Sequence, residues 1–107
     1  MQPSKGDVVL LHFPFADLSG KKMRPALVLA ARRLEVTVAF ISSQVAKTEP
    51  DDLLFPATAH TGLSRPSLLR VAKLATLDRR QIQHGLGQLS ADELARVDAA
   101  MRRVYEL

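Results

Sequence analysis

The chain has 107 residues, of which 47% are apolar, so it is long enough for one folded domain and too short for two separate cores. The 15 Lys and Arg against 11 Asp and Glu leave a net charge of +4, which favours an anionic partner, either a nucleic acid or an acidic protein. The absence of cysteine excludes disulfides, thiolate zinc sites and cysteine nucleophiles.

The apolar segments are all short. None approaches the roughly 20 apolar residues that span a bilayer. The first seven residues, MQPSKGD, contain no apolar stretch of the signal-peptide type. We therefore expect a cytoplasmic protein that does not associate with a membrane.

Five apolar segments, several rich in β-branched residues, predict strands. They cover residues 8–13, 25–31, 35–41, 53–57 and 67–77. Polar segments with Gly, Ser and Pro predict loops at residues 16–23 and 58–66. Residues 78–84 predict a short helix that ends at Gly85-Leu86-Gly87, with His84 in a turn.

The last segment predicts the clearest element, a C-terminal helix. Ser90 and Glu93 have the spacing of a capping box, and four apolar residues follow at helical intervals. These are Leu94, Val97, Met101 and Val104. Short strands followed by one helix predict a single domain over residues 1–107, of α+β class and mainly β, built as a small antiparallel barrel with that helix.

A candidate phosphate site lies where the first loop meets the second strand. Arg24 precedes Pro25, and a residue before proline is held in extended backbone. Its guanidinium lies close in sequence to the ammonium groups of Lys21 and Lys22, a grouping suited to holding a phosphate. The alternative is an edge-strand proline surrounded by solvated charges.

Ser42 directly follows the third strand and is therefore expected at a strand end. Its hydroxyl offers one donor and two acceptor positions to a ligand. The alternative is a strand-ending serine that bonds the local backbone. Metal catalysis is not expected, because the three histidines have no neighbouring acids at ligand spacing.

Residues 6–30, GDVVLLHFPFADLSGKKMRPALVLA, resemble the opening of the MazF/PemK family of toxin endoribonucleases. Four later segments fall in the family's order and spacing, so the resemblance covers nearly the whole chain. They are Ile41-Ser42-Ser43-Gln44, residues 67–71, Leu77-Asp78 and residues 89–94. The resemblance implies an SH3-like barrel with helices.

The same resemblance implies the toxin of a type II toxin–antitoxin system. Such a toxin would cleave single-stranded RNA at specific sequences, by attack of a 2′-hydroxyl on the scissile phosphate, with no metal or cofactor. It would be a homodimer, with RNA bound along the dimer interface, and a cognate antitoxin would hold it inactive.

The resemblance also assigns roles to individual residues. Arg24 would stabilise the phosphorane, and Ser42, where the family usually has threonine, would contact the scissile phosphate. Arg70 would act with them, and Asp17 is a candidate general base. The predicted RNA contacts are Phe15, Lys21, Lys22, Ser43, Gln44 and His60.

One position departs from the family pattern. PemK-type members carry an aspartate two residues after the arginine that corresponds to Arg70, and this chain has Ala72 there. Two alternatives follow from this departure. The barrel could act without nuclease activity, as the gyrase-poisoning CcdB toxins do, or it could only bind RNA or its antitoxin.

Overall fold

The computed structural model describes residues 2–12 and 23–107, which form one six-stranded sheet and a C-terminal helix. The strands are β1 Asp7–His12, β2 Met23–Ala31, β3 Glu35–Ser42, β4 Asp52–Phe55, β5 Ser67–Asp78 and β6 Ile82–Gln88. The helix is α1, Ala91–Tyr105, and short 3-10 turns lie at Val45–Lys47 and Arg79–Gln81. The sheet order is β4-β5-β3-β2-β1-β6, with every neighbouring pair antiparallel. The α+β class, mainly β with a C-terminal helix, is confirmed.

Successive residues of the central strands bury their side chains on opposite faces of the sheet, as the pleat requires. One apolar cluster contains Val8, Leu27 and Ala39 and is completed by Val97 and Ala100 of α1. The other contains the alternate residues of the same strands, namely Val9, Ala26, Val28 and Val38, together with Leu11 and Val36. Burying each valine or leucine side chain of these clusters contributes about 1.5–3 kcal/mol, so both faces of the sheet stabilise the fold.

The sheet is open between β4 and β6, its two edge strands in the described part of the chain. A segment that we call the bridging loop, residues 56–66, leaves β4 and crosses to β6 before it enters β5. There Gln88 N donates a 2.8 Å hydrogen bond to His60 O. This contact links the two edges of the open sheet, which is barrel-like in form.

The C-terminal helix begins as the sequence predicts. Glu93 N donates to Ser90 Oγ at 3.2 Å, and Ser90 N donates to Glu93 Oε1 at 2.8 Å, so both halves of the capping box are present. At the other end of the helix, the Tyr105 hydroxyl donates to Val71 O at 2.7 Å and ties α1 to β5.

No helix within residues 2–12 and 23–107 is long and apolar enough to cross a membrane.

The prediction of a short helix over residues 78–84 is wrong, and so is the turn expected at His84. Helical geometry is confined to the turn Arg79–Gln81, where the Asp78 carboxylate accepts a 2.8 Å bond from Arg80 N. His84 lies in β6 opposite Leu10 of β1. Pairing with a strand more than 70 residues earlier thus overrides the local sequence signal. A short sequence window cannot detect such long-range pairing.

Candidate functional site

Arg24 and Ser42 lie at the same end of two neighbouring strands. Ala26 of β2 pairs with Phe40 of β3, and the same register continued by two residues brings Arg24 level with Ser42. Directly opposed residues of an antiparallel pair project from the same face of the sheet. The two residues therefore lie at the same end of the sheet, and both line the pocket that is found there.

A pocket of about 470 Å³ lies at this end of the sheet. Its polar lining comes from the start of β2, the end of β3 and the bridging loop, and consists of Arg24, Ser42, Ser43, Gln44, Ser64, Arg65 and Ser67. Leu10, Ile41, Leu63 and Leu86 add an apolar part. Pockets of roughly 300–1,000 Å³ accommodate small ligands, so there is room for part of a nucleic-acid strand.

Within residues 2–12 and 23–107, no other residue engages the two arginines of the pocket. The side chains of Arg24 and Arg65 are exposed, and neither forms a hydrogen bond or ion pair with another described residue. Other arginines are engaged within the fold; Arg70, for example, pairs with Asp52, and Arg80 pairs with Asp78. The pocket therefore contains two cations without a carboxylate among the described residues, which suits an anion.

The Ser42 hydroxyl bonds the local backbone, which was one of the two alternatives that the sequence offered. Its oxygen accepts a 3.2 Å hydrogen bond from Gln44 N, just after the end of β3. An oxygen that accepts this bond keeps its own O–H to donate. Local bonding and a phosphate contact are thus compatible at Ser42, because the first fixes the oxygen and the second uses the proton.

The bridging loop is built firmly enough to form a wall of the pocket. Gly62 has φ +72°, and a Cβ there would collide with the Leu86 carbonyl. A Cβ on Gly87 would likewise collide with the His60 carbonyl, so both glycines allow loop and β6 to meet backbone to backbone. The hydroxyls of Thr58 and Thr61 bond each other at 2.9 Å within the loop.

His60, in the bridging loop, contacts the first turn of α1. Its Nε2 is 2.8 Å from Glu93 Oε1, the oxygen that also closes the capping box, and His60 is not among the residues that line the pocket. Partial burial raises the pKa of Glu93, but the hydrogen bonds from Ser90 and His60 outweigh this and leave the pKa below its ordinary value. The predicted RNA contact of His60 stays a prediction.

Arg70 is likewise placed outside the pocket lining. Its Nη1 lies 3.0 Å from Asp52 Oδ2 and 3.7 Å from Glu49 Oε1, and its side chain is 14% exposed. Ala72, two residues further along β5, is exposed. The carboxylate that pairs with Arg70 therefore comes from the adjacent strand β4, and the catalytic role of Arg70 stays a prediction.

The structure adds one residue that the sequence analysis does not single out. Arg65 lines the pocket, and it precedes Pro66 just as Arg24 precedes Pro25. The second Arg-Pro pair at the start of a strand was a readable signal.

Phe15, Asp17, Lys21 and Lys22, all predicted site residues, lie outside the described residues. The described residues contain no group of three or more His, Asp or Glu placed to hold a metal ion.

A barrel-like antiparallel sheet with a C-terminal helix and a two-arginine pocket at its strand ends defines a small, mainly β protein of the α+β class with a candidate anion site. The chain belongs to the family of PemK-like, MazF-like toxins of type II toxin–antitoxin systems, whose family model matches residues 4–105. The family expected from the sequence motifs is thereby confirmed.

Individual relatives agree with this assignment. Over 93 residues the chain is 33% identical to endoribonuclease MazF2 of Mycobacterium bovis and to endoribonuclease MazF6 of Mycobacterium tuberculosis, covering 80% of this chain and 81% of theirs. Its fold is similar to that of MazF in the crystal structure of MazE-MazF from Deinococcus radiodurans. That match has a TM-score of 0.77 and 25% identity, and covers 100% of this chain and 98% of the other.

Proposed function

We propose that this protein is the toxin of a type II toxin–antitoxin pair and acts as an endoribonuclease on single-stranded RNA. The observation that carries the proposal is the pocket in which Arg24, the Ser42 hydroxyl and Gln44 converge at the ends of β2 and β3. The relatives of 33% identity are named endoribonucleases, which supports the same activity.

The chemistry that fits the pocket is an internal displacement at phosphorus. The RNA 2′-oxygen forms a bond to the phosphorus, the bond to the 5′-oxygen breaks, and the products carry a 2′,3′-cyclic phosphate and a 5′-hydroxyl. The Arg24 guanidinium stabilises the negative charge that develops on the phosphorane, and the Ser42 O–H donates to a phosphate oxygen. Ser43 and Gln44 hold the adjoining sugar or base.

Proton transfer needs a base for the 2′-hydroxyl and an acid for the leaving 5′-oxygen, and we assign the acid to a water molecule from solvent. We assign the base to Asp17, since Ala72 stands where PemK-type members have their aspartate. Asp52 is unsuited to the role because its side chain is 2% exposed and is paired with Arg70. Arg24 keeps its proton at neutral pH, so its part is electrostatic.

The test is incubation of purified protein with a long single-stranded RNA in excess EDTA, beside Arg24→Ala and Asp17→Asn. Arg103→Ala, on the exposed last turn of α1, serves as a charge-matched control. We expect discrete fragments with the wild type and the control, and strongly reduced cleavage with the two site variants. Intact RNA in every lane with folded protein would reject nuclease activity and leave a protein-binding toxin or an RNA binder.

We further propose a cytoplasmic homodimer that a cognate antitoxin inhibits. Structures similar in fold include an endoribonuclease in complex with its cognate antitoxin from mycobacterial species, with TM-score 0.75 and 13% identity over 99% of this chain and 95% of the other. Light scattering would show the dimer. Co-expression with the cognate antitoxin should restore growth and abolish RNA cleavage.

A further inference from the structure

We propose that Arg65 holds a second phosphate of the RNA strand, next to the scissile phosphate at Arg24, so that the pocket recognises a nucleoside flanked by phosphates on both sides. This inference rests on the proposed function and names the ligand that its pocket selects.

The backbone of Arg65 is fixed from both directions. Pro66 restricts it to extended conformations, and the Ser67 hydroxyl, in a side chain that is buried, donates a 2.9 Å hydrogen bond to Arg65 O. On the other side, Leu63 and Thr61 are buried and Gly62 packs against β6. The exposed guanidinium therefore extends from an anchored backbone, so little backbone freedom is lost when it binds an anion.

Arg65 and Arg24 belong to different walls of the pocket. Arg24 stands at the start of β2 beside Ser42, whereas Arg65 stands at the end of the bridging loop beside Ser64. Buried apolar residues, Ile41 and Leu63, contribute to the lining that the two arginines share. Apolar lining next to two cations suits a nucleoside whose two phosphates point to the two arginines.

The charges of the site support the same arrangement. Two guanidinium groups line one pocket and have no carboxylate partner in the described part of the chain, so an anion at each would offset the positive charge of the site. A single phosphate at Arg24 would leave Arg65 uncompensated. A ligand with two phosphates neutralises both arginines and satisfies two bidentate donors.

The experiment uses deoxynucleoside 3′,5′-bisphosphates of the four bases, compared with the corresponding 5′- and 3′-monophosphates. These compounds contain no phosphodiester bond, so their binding does not depend on RNA cleavage, and the result is independent of whether the protein is a nuclease. Dissociation constants are measured by calorimetry for the wild type, Arg65→Gln, Arg65→Lys and the control Arg103→Gln.

For at least one base, we expect the wild type and Arg103→Gln to bind the bisphosphate about tenfold more tightly than either monophosphate. Arg65→Gln should lose this preference while retaining monophosphate binding at Arg24, and Arg65→Lys should retain part of it. Equal affinity of the wild type for bisphosphates and monophosphates would overturn the proposal, as would a preference that survives Arg65→Gln. Since Arg65 has no partner among the described residues, the melting curves of the variants should match that of the wild type.

Discussion

Arg70 and Asp52 lie directly opposite each other on β5 and β4, and their side chains form a 3.0 Å ion pair. The Asp52 side chain is 2% exposed and that of Arg70 is 14% exposed, so neither charge is well solvated. The same arginine approaches Lys47 O at 3.5 Å. The pair therefore fastens the segment between β3 and β4 to the sheet.

From this relationship we expect Asp52→Asn to lower the free energy of unfolding by about 1–3 kcal/mol, because a poorly solvated guanidinium would lose its partner. The matched control is Glu49→Gln, which removes a carboxylate near the same arginine but from a side chain that is 48% exposed. That change should cost at most about 0.5 kcal/mol. Urea denaturation measures both; unchanged stability of Asp52→Asn with lost RNA cleavage would instead place the pair in catalysis.

Ser42→Ala should lower kcat for RNA cleavage by about 10²-fold, because it removes a donor to the reacting phosphate. Ser42→Thr keeps the hydroxyl and restricts χ1, so it should retain or raise the activity. Single-turnover kinetics at saturating enzyme separate this effect from binding. Comparable rates for Ser42→Ala and wild type would show that the hydroxyl only bonds Gln44 N.

Gly87→Ala should destabilise the protein by about 1–3 kcal/mol and weaken ligand binding in the pocket. The added methyl group would meet the His60 carbonyl and force the bridging loop away from β6. Gly85→Ala, at an exposed position of the same strand, is the control. Thermal unfolding and limited proteolysis of the loop report the change; equal protection of both variants would contradict it.

We expect Glu93 to make the folding stability of the protein sensitive to acid. Its folded-state pKa lies below its ordinary value of 4.5, so the unfolded state binds a proton more readily. The stabilisation is fully present above the ordinary pKa and is lost as the pH falls through the folded-state pKa. Stability should fall as the pH drops below about 4.5, and Glu93→Gln should flatten this part of the profile. Urea midpoints from pH 3 to 7 would measure it, and parallel profiles for variant and wild type would refute the assignment.

The parts of the fold that the sequence predicted are those whose cause is local. The capping box at Ser90 needs only residues three positions apart, and the strands over residues 25–31 and 35–41 agree with β2 and β3 to within a few residues. Strand β6 escaped prediction because its glycines read as a break. What makes it a strand is pairing with β1, at the opposite end of the sequence.

The candidate site likewise has parts with a local cause in the sequence and parts that depend on long-range contacts. The local sequence leaves two alternatives open at Arg24 and at Ser42, and the family resemblance favours the functional one; the pocket brings the two residues together. Arg65 shares the Arg-Pro sequence signal of Arg24, but its place in the pocket depends on the path of the bridging loop, which crosses to β6 before β5 begins. The partner of Arg70 was equally hidden, because it depends on the β4–β5 register, which no sequence window contains.

The bridging loop joins two properties that are usually separate in a protein. It links the two edges of the sheet and also carries Arg65 into the pocket, so the same segment belongs to the fold and to the candidate binding site. Ligand occupancy and unfolding of this loop are then linked thermodynamically, because a ligand held at Arg65 stabilises the folded loop.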